Sequence, residues 1–204
     1  MSDPSTHPEP DLLQGQKFHL EGMLHRGADS FDIKNAYFTT LSALANSRHG
    51  ISYASLPGYR APLFFRGMTT DILNFRQIFM QKEYSFKFAS TPRRILDLGA
   101  YCGYAAVYLA NRFPSAEILC VEPSPDNFRL LSMNTAAYEN IRTVNAAVWP
   151  RPTKLGLVYK VGGDWGSVFA EQQDGKGDIQ ALTIAEILRL ACCNQIEMSG
   201  LLPK

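Results

Sequence analysis

The spacing of apolar positions changes along the chain, and each change marks a different kind of element. From Phe31 to Asn46 the apolar positions Phe31, Phe38, Leu41, Leu44 and Ala45 form a weak helical stripe. The stretch "ISYASLPGYRAPLFFRG" reads as two short extended pieces around a Pro-Gly turn. In "TTDILNFRQIFMQKEY", Ile72, Phe75, Ile78 and Phe79 return at helical spacing. A threonine stands at the N-cap and Asp71 in the first turn, so an amphipathic helix is expected there.

From Arg93 the rhythm becomes an alternation of strands and helices. "RRILDLG" predicts a short buried strand, and "GYAAVYLANRF" a helix whose alanines allow close approach to a sheet, closed by Pro114. "AEILCVEP" is the second strand. "SPDNFRLLSMNTAAY" is the next helix, with Ser124 as N-cap, Pro125 at the first helical position, and Phe128, Leu131 and Tyr138 inward. "IRTVNAAVW" is read as the third strand. Strand-helix-strand-helix-strand at this spacing predicts an α/β fold, a doubly wound and mostly parallel sheet. Beyond Trp149, "TKLGLVYKV", "DWGSVFAE" and "DIQALT" read as short strands between the Gly-rich turns "VGGD" and "DGKGD". "TIAEILRLACC" is a last helix, opened by a capping box of Thr183 and Glu186.

Composition narrows the setting more than the function. A chain of 204 residues can build one domain with a real core, and 46% hydrophobic with 19% charged residues is globular composition. The net charge of +1 offers no basic excess for nucleic acid. No apolar run approaches the roughly 20 residues of a membrane span. The start "MSDPSTHPEPDLLQGQ" has no basic-then-apolar signal pattern and reads as a disordered lead-in over residues 1–30. Residues 31–92 then form a helical and extended segment packed on a core that begins at residue 93. Cys102, Cys120, Cys192 and Cys193 make no C-x-x-C pair, which favours a reduced, cytoplasmic setting. His7, His19, His25 and His49 lack metal-ligand spacing, so no metal site is predicted.

The candidate chemistry sits at the turn after the first strand of the alternating region. In an open parallel sheet ligands bind beyond the carboxyl ends of the strands, where the Asp97-to-Gly103 turn falls. Gly99 and Gly103 allow positive φ or close backbone approach, and the following helix points free N–H groups at the same space. The pattern D-x-G-x-x-x-G, with Tyr101 in the middle, is not the G-x-G-x-x-G of a dinucleotide site, and there is no P-loop lysine. It suits a nucleoside without phosphates. Glu122, 19 residues after Gly103 at the end of the second strand, is placed to accept hydrogen bonds from ribose hydroxyls. Each residue also has a plainer reading: capping for Asp97, tight packing for the glycines, and a solvated loop acid for Glu122.

Taken together, "FFRGMTTDILNFRQIFMQKEY", "ILDLGAYCGYAAVYLANRFPSAEILCVEPSPDNFRLL", "VNAAVW", "DWG" and "LTIAEIL" resemble the FkbM-type class I methyltransferases, over about Leu63 to Cys193. The resemblance implies S-adenosyl-L-methionine as cofactor and a Rossmann-like methyltransferase fold. It implies a cofactor loop of Asp97, Gly99, Ala100, Tyr101 and Gly103, a ribose contact from Glu122, and Asn145 and Ala146 facing the adenine. Thr70 and Asp71 match a threonine/serine-Asp pair that precedes the core in such relatives, which points to a part in closing the site, with ordinary helix capping as the equal alternative. The expected reaction is O-methylation of a small-molecule or sugar hydroxyl. The core holds no histidine, so a general base would be a carboxylate, lysine or tyrosine, and none is assigned.

Two departures from the family pattern matter. Tyr101 stands where asparagine is common, and a bulky aromatic tolerates left-handed backbone poorly. The loop must therefore avoid that conformation or accept strain. Relatives also continue after the last helix into a strand reading I-D-x-L-K-x-D-x-E-G, from which "NQIEMSGLLPK" diverges. The expectation is a partial domain whose first strand is an exposed sheet edge, open to an oligomeric or other partner. The competing reading is a non-catalytic protein that binds the cofactor or a partner only.

Overall fold

The computed structural model describes residues 38–39, 41–43, 45–46, 50–160, 166–172 and 177–192. The expected N-terminal lead-in, the "VGGD" turn, most of the "DGKGD" turn, and "NQIEMSGLLPK" lie outside the described residues. The extended pieces before the core form a two-stranded antiparallel hairpin, β1 (Ile51–Ala54) and β2 (Leu63–Arg66). A short helix α1 (Asp71–Phe75) follows and runs on as a π-helical turn, Arg76–Met80. The helical pattern read as far as Tyr84 thus stops earlier. Lys82 takes a positive φ of 55°, and the Arg112 guanidinium claims the carbonyls of Tyr84 and Phe86 at 2.7 and 2.6 Å. Those carbonyls are then pinned to another helix in an extended path.

The alternating region folds as expected. β3 (Arg94–Leu98), β4 (Glu117–Val121) and β5 (Ile141–Val144) form a parallel sheet in the order β3-β4-β5, linked by α2 (Tyr104–Arg112) and α3 (Pro125–Thr135). Four successive β4 residues, Ile118 to Val121, are buried because both faces of the sheet are covered. One face carries Ile118, Cys120 and Ile141 in one core with α2, α3 and the hairpin-α1 layer, including Phe65 and Phe75, and with Leu41 from the chain before the hairpin. The other carries Leu119, Val121 and Val144 against Ile187 and Leu190 of α4 (Ile184–Cys192). Helices on both faces make this a doubly wound α/β arrangement. Among the described residues no strand pairs with the outer side of β3, where Leu98 is exposed.

The stretch "IRTVNAAVW", read as one strand, divides in two. After β5 the Asn145 amide donates to the carbonyls of Glu122 and Pro123, holding the chain at the end of β4. β6 (Ala147–Val148) then leaves for a second sheet of order β6-β9-β7-β8, with β7 (Thr153–Lys160), β8 (Ser167–Glu171) and β9 (Ile179–Leu182). α4 opens on its capping box, the Glu186 carboxylate accepting from Thr183 N and Oγ1. It ends with Arg142 of β5 donating to the carbonyls of Leu190 and Ala191, which satisfies otherwise orphaned acceptors at a helix C-terminus.

Asn134, buried on α3, joins the layers. Its Oδ1 accepts from Phe64 N at 2.6 Å, while Nδ2 donates to the carbonyls of Phe64 and Cys102. One amide therefore pairs groups on β2 and on the turn before α2. Removing it takes this partner from Phe64 N and Cys102 O, while the Phe64 carbonyl keeps the Tyr104 hydroxyl, so Asn134→Ala is expected to cost about 3 kcal/mol of stability. Urea denaturation checks this, and a loss below about 1 kcal/mol would show that those groups find other partners.

Candidate functional site

The carboxyl ends of β3, β4 and β5 meet at the turn from Gly99 to Gly103. Val121 O at the end of β4 accepts from both Gly99 N and Ala100 N, at 2.8 and 3.1 Å, which bends the chain sharply out of β3. Every second residue of the turn is left-handed: Gly99 at φ 86°, Tyr101 at 52° and Gly103 at 83°. The two glycines serve different ends. A Cβ on Gly99 would meet nothing within 4 Å, so its backbone faces open space. One on Gly103 would lie 2.6 Å from Leu131 Cδ1, so this glycine lets α2 start against α3.

Tyr101 adopts the conformation that its side chain disfavours, at a cost of about 1–2 kcal/mol, and the surroundings show how it is held. Its N–H donates to Glu122 Oε2 at 2.9 Å. Its ring is buried, and the hydroxyl donates to Asp71 Oδ1 in a short hydrogen bond and lies 3.3 Å from Thr70 Oγ1. Burial and the Asp71 carboxylate push the phenol well above its ordinary range. Asp71 is fully buried and is clasped by Arg66, whose backbone N and Nε reach Oδ2 and whose Nη2 reaches Oδ1, all at 2.8–2.9 Å. The Arg66 guanidinium also lies 5.6 Å from the Tyr101 ring centre. Thr70 and Asp71 thus stand behind the turn, bonded to Tyr101, and the Thr70 hydroxyl makes no cap bond to α1.

Glu122 is the second buried acid. Besides Tyr101 N, its carboxylate accepts from Ser124 N at 3.0 Å and Asn127 Nδ2 at 3.2 Å, and Asn127 Oδ1 accepts from Arg66 Nη2. Burial raises its pKa, with the hydrogen bonds opposing that rise. Asp97 differs, for its Oδ2 is buried with no hydrogen-bond partner. Desolvation, then the nearby Glu122 charge, pushes its pKa up to about 6. The residue as a whole is half-buried, so water reaches its edge but not that oxygen.

Beside the turn lies a cavity of about 330 Å³, lined by Leu98, Gly99, Val121, Pro123 and Ala146 together with Trp149 and Phe169. Of the sequence-predicted residues, Gly99 and Ala146 face this space. Ala100, Tyr101, Gly103, Glu122 and Asn145 do not line it and are engaged within the protein, and Asp97 does not line it either, its buried oxygen having no hydrogen-bond partner. Trp149 and Phe169 were not among the predicted residues: the pattern ended the third strand at Trp149, which the structure places just after β6, and left Phe169, on β8, in a run of short strands. Trp149 is fixed by its Nε1–H donating to Glu171 Oε1 at 2.7 Å, and Arg151 pairs with the same carboxylate. Among the described residues, no group of three or more His, Cys, Asp or Glu is placed to hold a metal ion. No described helix is long and apolar enough to cross a membrane.

No protein-family model matches the chain. A stretch of 37 residues, 18% of the chain, is 54% identical to catechol O-methyltransferase of Sus scrofa and spans 20% of that protein. Among solved structures, the methyltransferase FkbM from Methylobacillus flagellatus is similar over 78% of this chain and 38% of its own, at 12% identity and TM-score 0.28. Aeropyrum pernix fibrillarin, solved with natively bound S-adenosyl-L-methionine, aligns over 50% of this chain and 41% of its own, at 20% identity and TM-score 0.30. P. horikoshii TYW2, solved with MeSAdo, aligns over 68% and 54%, at 13% identity and TM-score 0.36. The chain thus spans about a fifth to a half of these similar proteins.

The two glycines are expected to respond differently to a methyl group. Gly99→Ala adds only backbone strain, about 1 kcal/mol, whereas Gly103→Ala adds the clash with Leu131 and should cost about 3 kcal/mol by chemical denaturation. Asp97 generates a pH signature. Its folded pKa of about 6 exceeds its ordinary 3.8, so the stability it lends below about pH 4 is lost as pH rises through 6. Asp97→Asn should therefore gain on the wild type between about pH 4 and about pH 7; parallel pH curves would show that Asp97 titrates normally.

Proposed function

We propose that this chain is a class I, S-adenosylmethionine-dependent methyltransferase of the FkbM type that methylates a small-molecule or sugar hydroxyl. The observation that carries the reading is the left-handed glycine turn at the carboxyl edge of a parallel sheet, its open Gly99 backbone beside an apolar cavity. The residue fit supports it. Gly99, Pro123 and Ala146 would border the nucleoside, and two acids stand at the adjoining strand ends: Glu122, with about one of its four lone-pair sites left for a ribose hydroxyl, and Asp97, with a buried oxygen that has no hydrogen-bond partner. The short match to catechol O-methyltransferase supports the same reaction class. When bound, the cofactor would supply an electrophilic methyl group on a sulfonium. The protein's part would be to hold the acceptor oxygen in line and keep water out, for which Trp149 and Phe169 supply apolar walls.

A second reading, binding without turnover, is favoured by one observation. The described cavity lining offers no ionisable side chain to take a proton from a hydroxyl. Calorimetric titration with S-adenosylmethionine, beside NADH, tests the cofactor, and transfer of labelled methyl to phenolic and sugar acceptors tests the reaction. Binding of the sulfonium nucleoside alone, weakened at least about tenfold in Glu122→Ala, is expected. No heat from folded protein would sink the assignment; binding without transfer to any acceptor would leave the second reading.

A further inference from the structure

We infer that Asp71 and Arg66 act as positioning residues that hold Tyr101, and with it the glycine turn, in the left-handed form a ligand would meet. The inference rests on the reading of that turn as a cofactor cradle. It assigns the hairpin-α1 layer a part in the site that neither the turn nor the cavity reveals.

The geometry is specific. The turn's N–H groups lie where they do only while residue 101 stays at positive φ, a region that a tyrosine enters unwillingly. Two bonds oppose its escape, Tyr101 N to Glu122 on one side and the phenol to Asp71 on the other. Asp71 is itself immobile, because Arg66 donates to it three times and is tied through Asn127 back to Glu122. Arg66, Asp71, Tyr101, Glu122 and Asn127 therefore form a closed ring of hydrogen bonds around the turn. Tyr101 is turned into this ring, away from the cavity, and the cavity lining does not include it. Its side chain acts on a ligand through backbone geometry alone.

Tyr101→Phe and Tyr101→Asn separate positioning from simple packing. Phe keeps the ring and loses the bond to Asp71; Asn loses the ring but tolerates positive φ without a latch. Two readouts are compared at a temperature where all forms are folded: amide hydrogen exchange at residues 100–103 without ligand, and calorimetric affinity for S-adenosylmethionine. Phe should speed exchange in the turn and weaken affinity, each about tenfold, while Asn stays within about threefold of the wild type in affinity. Asp71→Asn should reproduce the Phe effect in the Tyr101 background and add nothing once Asn stands at 101. Unchanged exchange in Tyr101→Phe, or an Asn variant as weak as Phe, overturns the inference. If the wild type binds no S-adenosylmethionine, the cofactor reading fails by itself, and the exchange measurement still decides the latch.

Discussion

A carboxylate shut away from water must be fully paired, and the Asp71 carboxylate is the one around which this molecule is arranged. Its oxygens collect the end of β2 through the Arg66 N–H, the Arg66 guanidinium, and the Tyr101 phenol from the turn after β3. Two segments distant in sequence, the β2-α1 junction and the turn after β3, are thereby forced to share one point. Losing one partner of such a buried pair typically costs about 3–5 kcal/mol, because the remaining charge cannot reach solvent. That penalty is what confers specificity: misplacing the hairpin, α1 or the turn strands a charge.

Glu122 does the complementary work from the sheet side. It sits at the carboxyl end of β4, where an acid would be a natural ligand contact, yet much of its hydrogen-bonding capacity goes to Tyr101, Ser124 and Asn127. The two acids, bridged by Arg66 and Asn127, brace a turn in which alternate residues are left-handed. Asp97 is the contrast. Its buried oxygen is left without a partner, so its high pKa follows from desolvation rather than from a structural task.

What could be read from the sequence was what depends on local chemistry. The β3-α2-β4-α3-β5 alternation was legible because Ala-rich α2, the Ser124-Pro125 start and the apolar "EILCV" run each carry their own signal. The glycine turn and Glu122 were legible as neighbours in space because the parallel sheet dictates where its strand ends lie. The break at Asn145 was not, since an apolar run on both sides hides a bend fixed by bonds to Glu122 and Pro123. The π-helical turn ends at Met80, and Arg112, far along the chain, holds the carbonyls of Tyr84 and Phe86 in the extended path that follows. Tyr101 was recognised as a misfit, but its latch depends on residues from an element whose position no periodicity discloses. Trp149 and Phe169 escaped for the same reason.

The Asn134 amide has a further consequence for the hairpin it touches. Strand alignment in a hairpin is ordinarily dictated by the turn that joins its strands. Here Phe64 is gripped from outside, by an amide on α3 and by the Tyr104 hydroxyl on its carbonyl. A one-residue slip of β2 would pull Phe64 off both and turn Phe65 out of the core. The connection from Ser55 to Pro62 is thus relieved of setting the alignment, and changes of length fall most lightly at its exposed tip, Pro57 and Gly58, between buried Leu56 and the Tyr59 ring packed on Phe79.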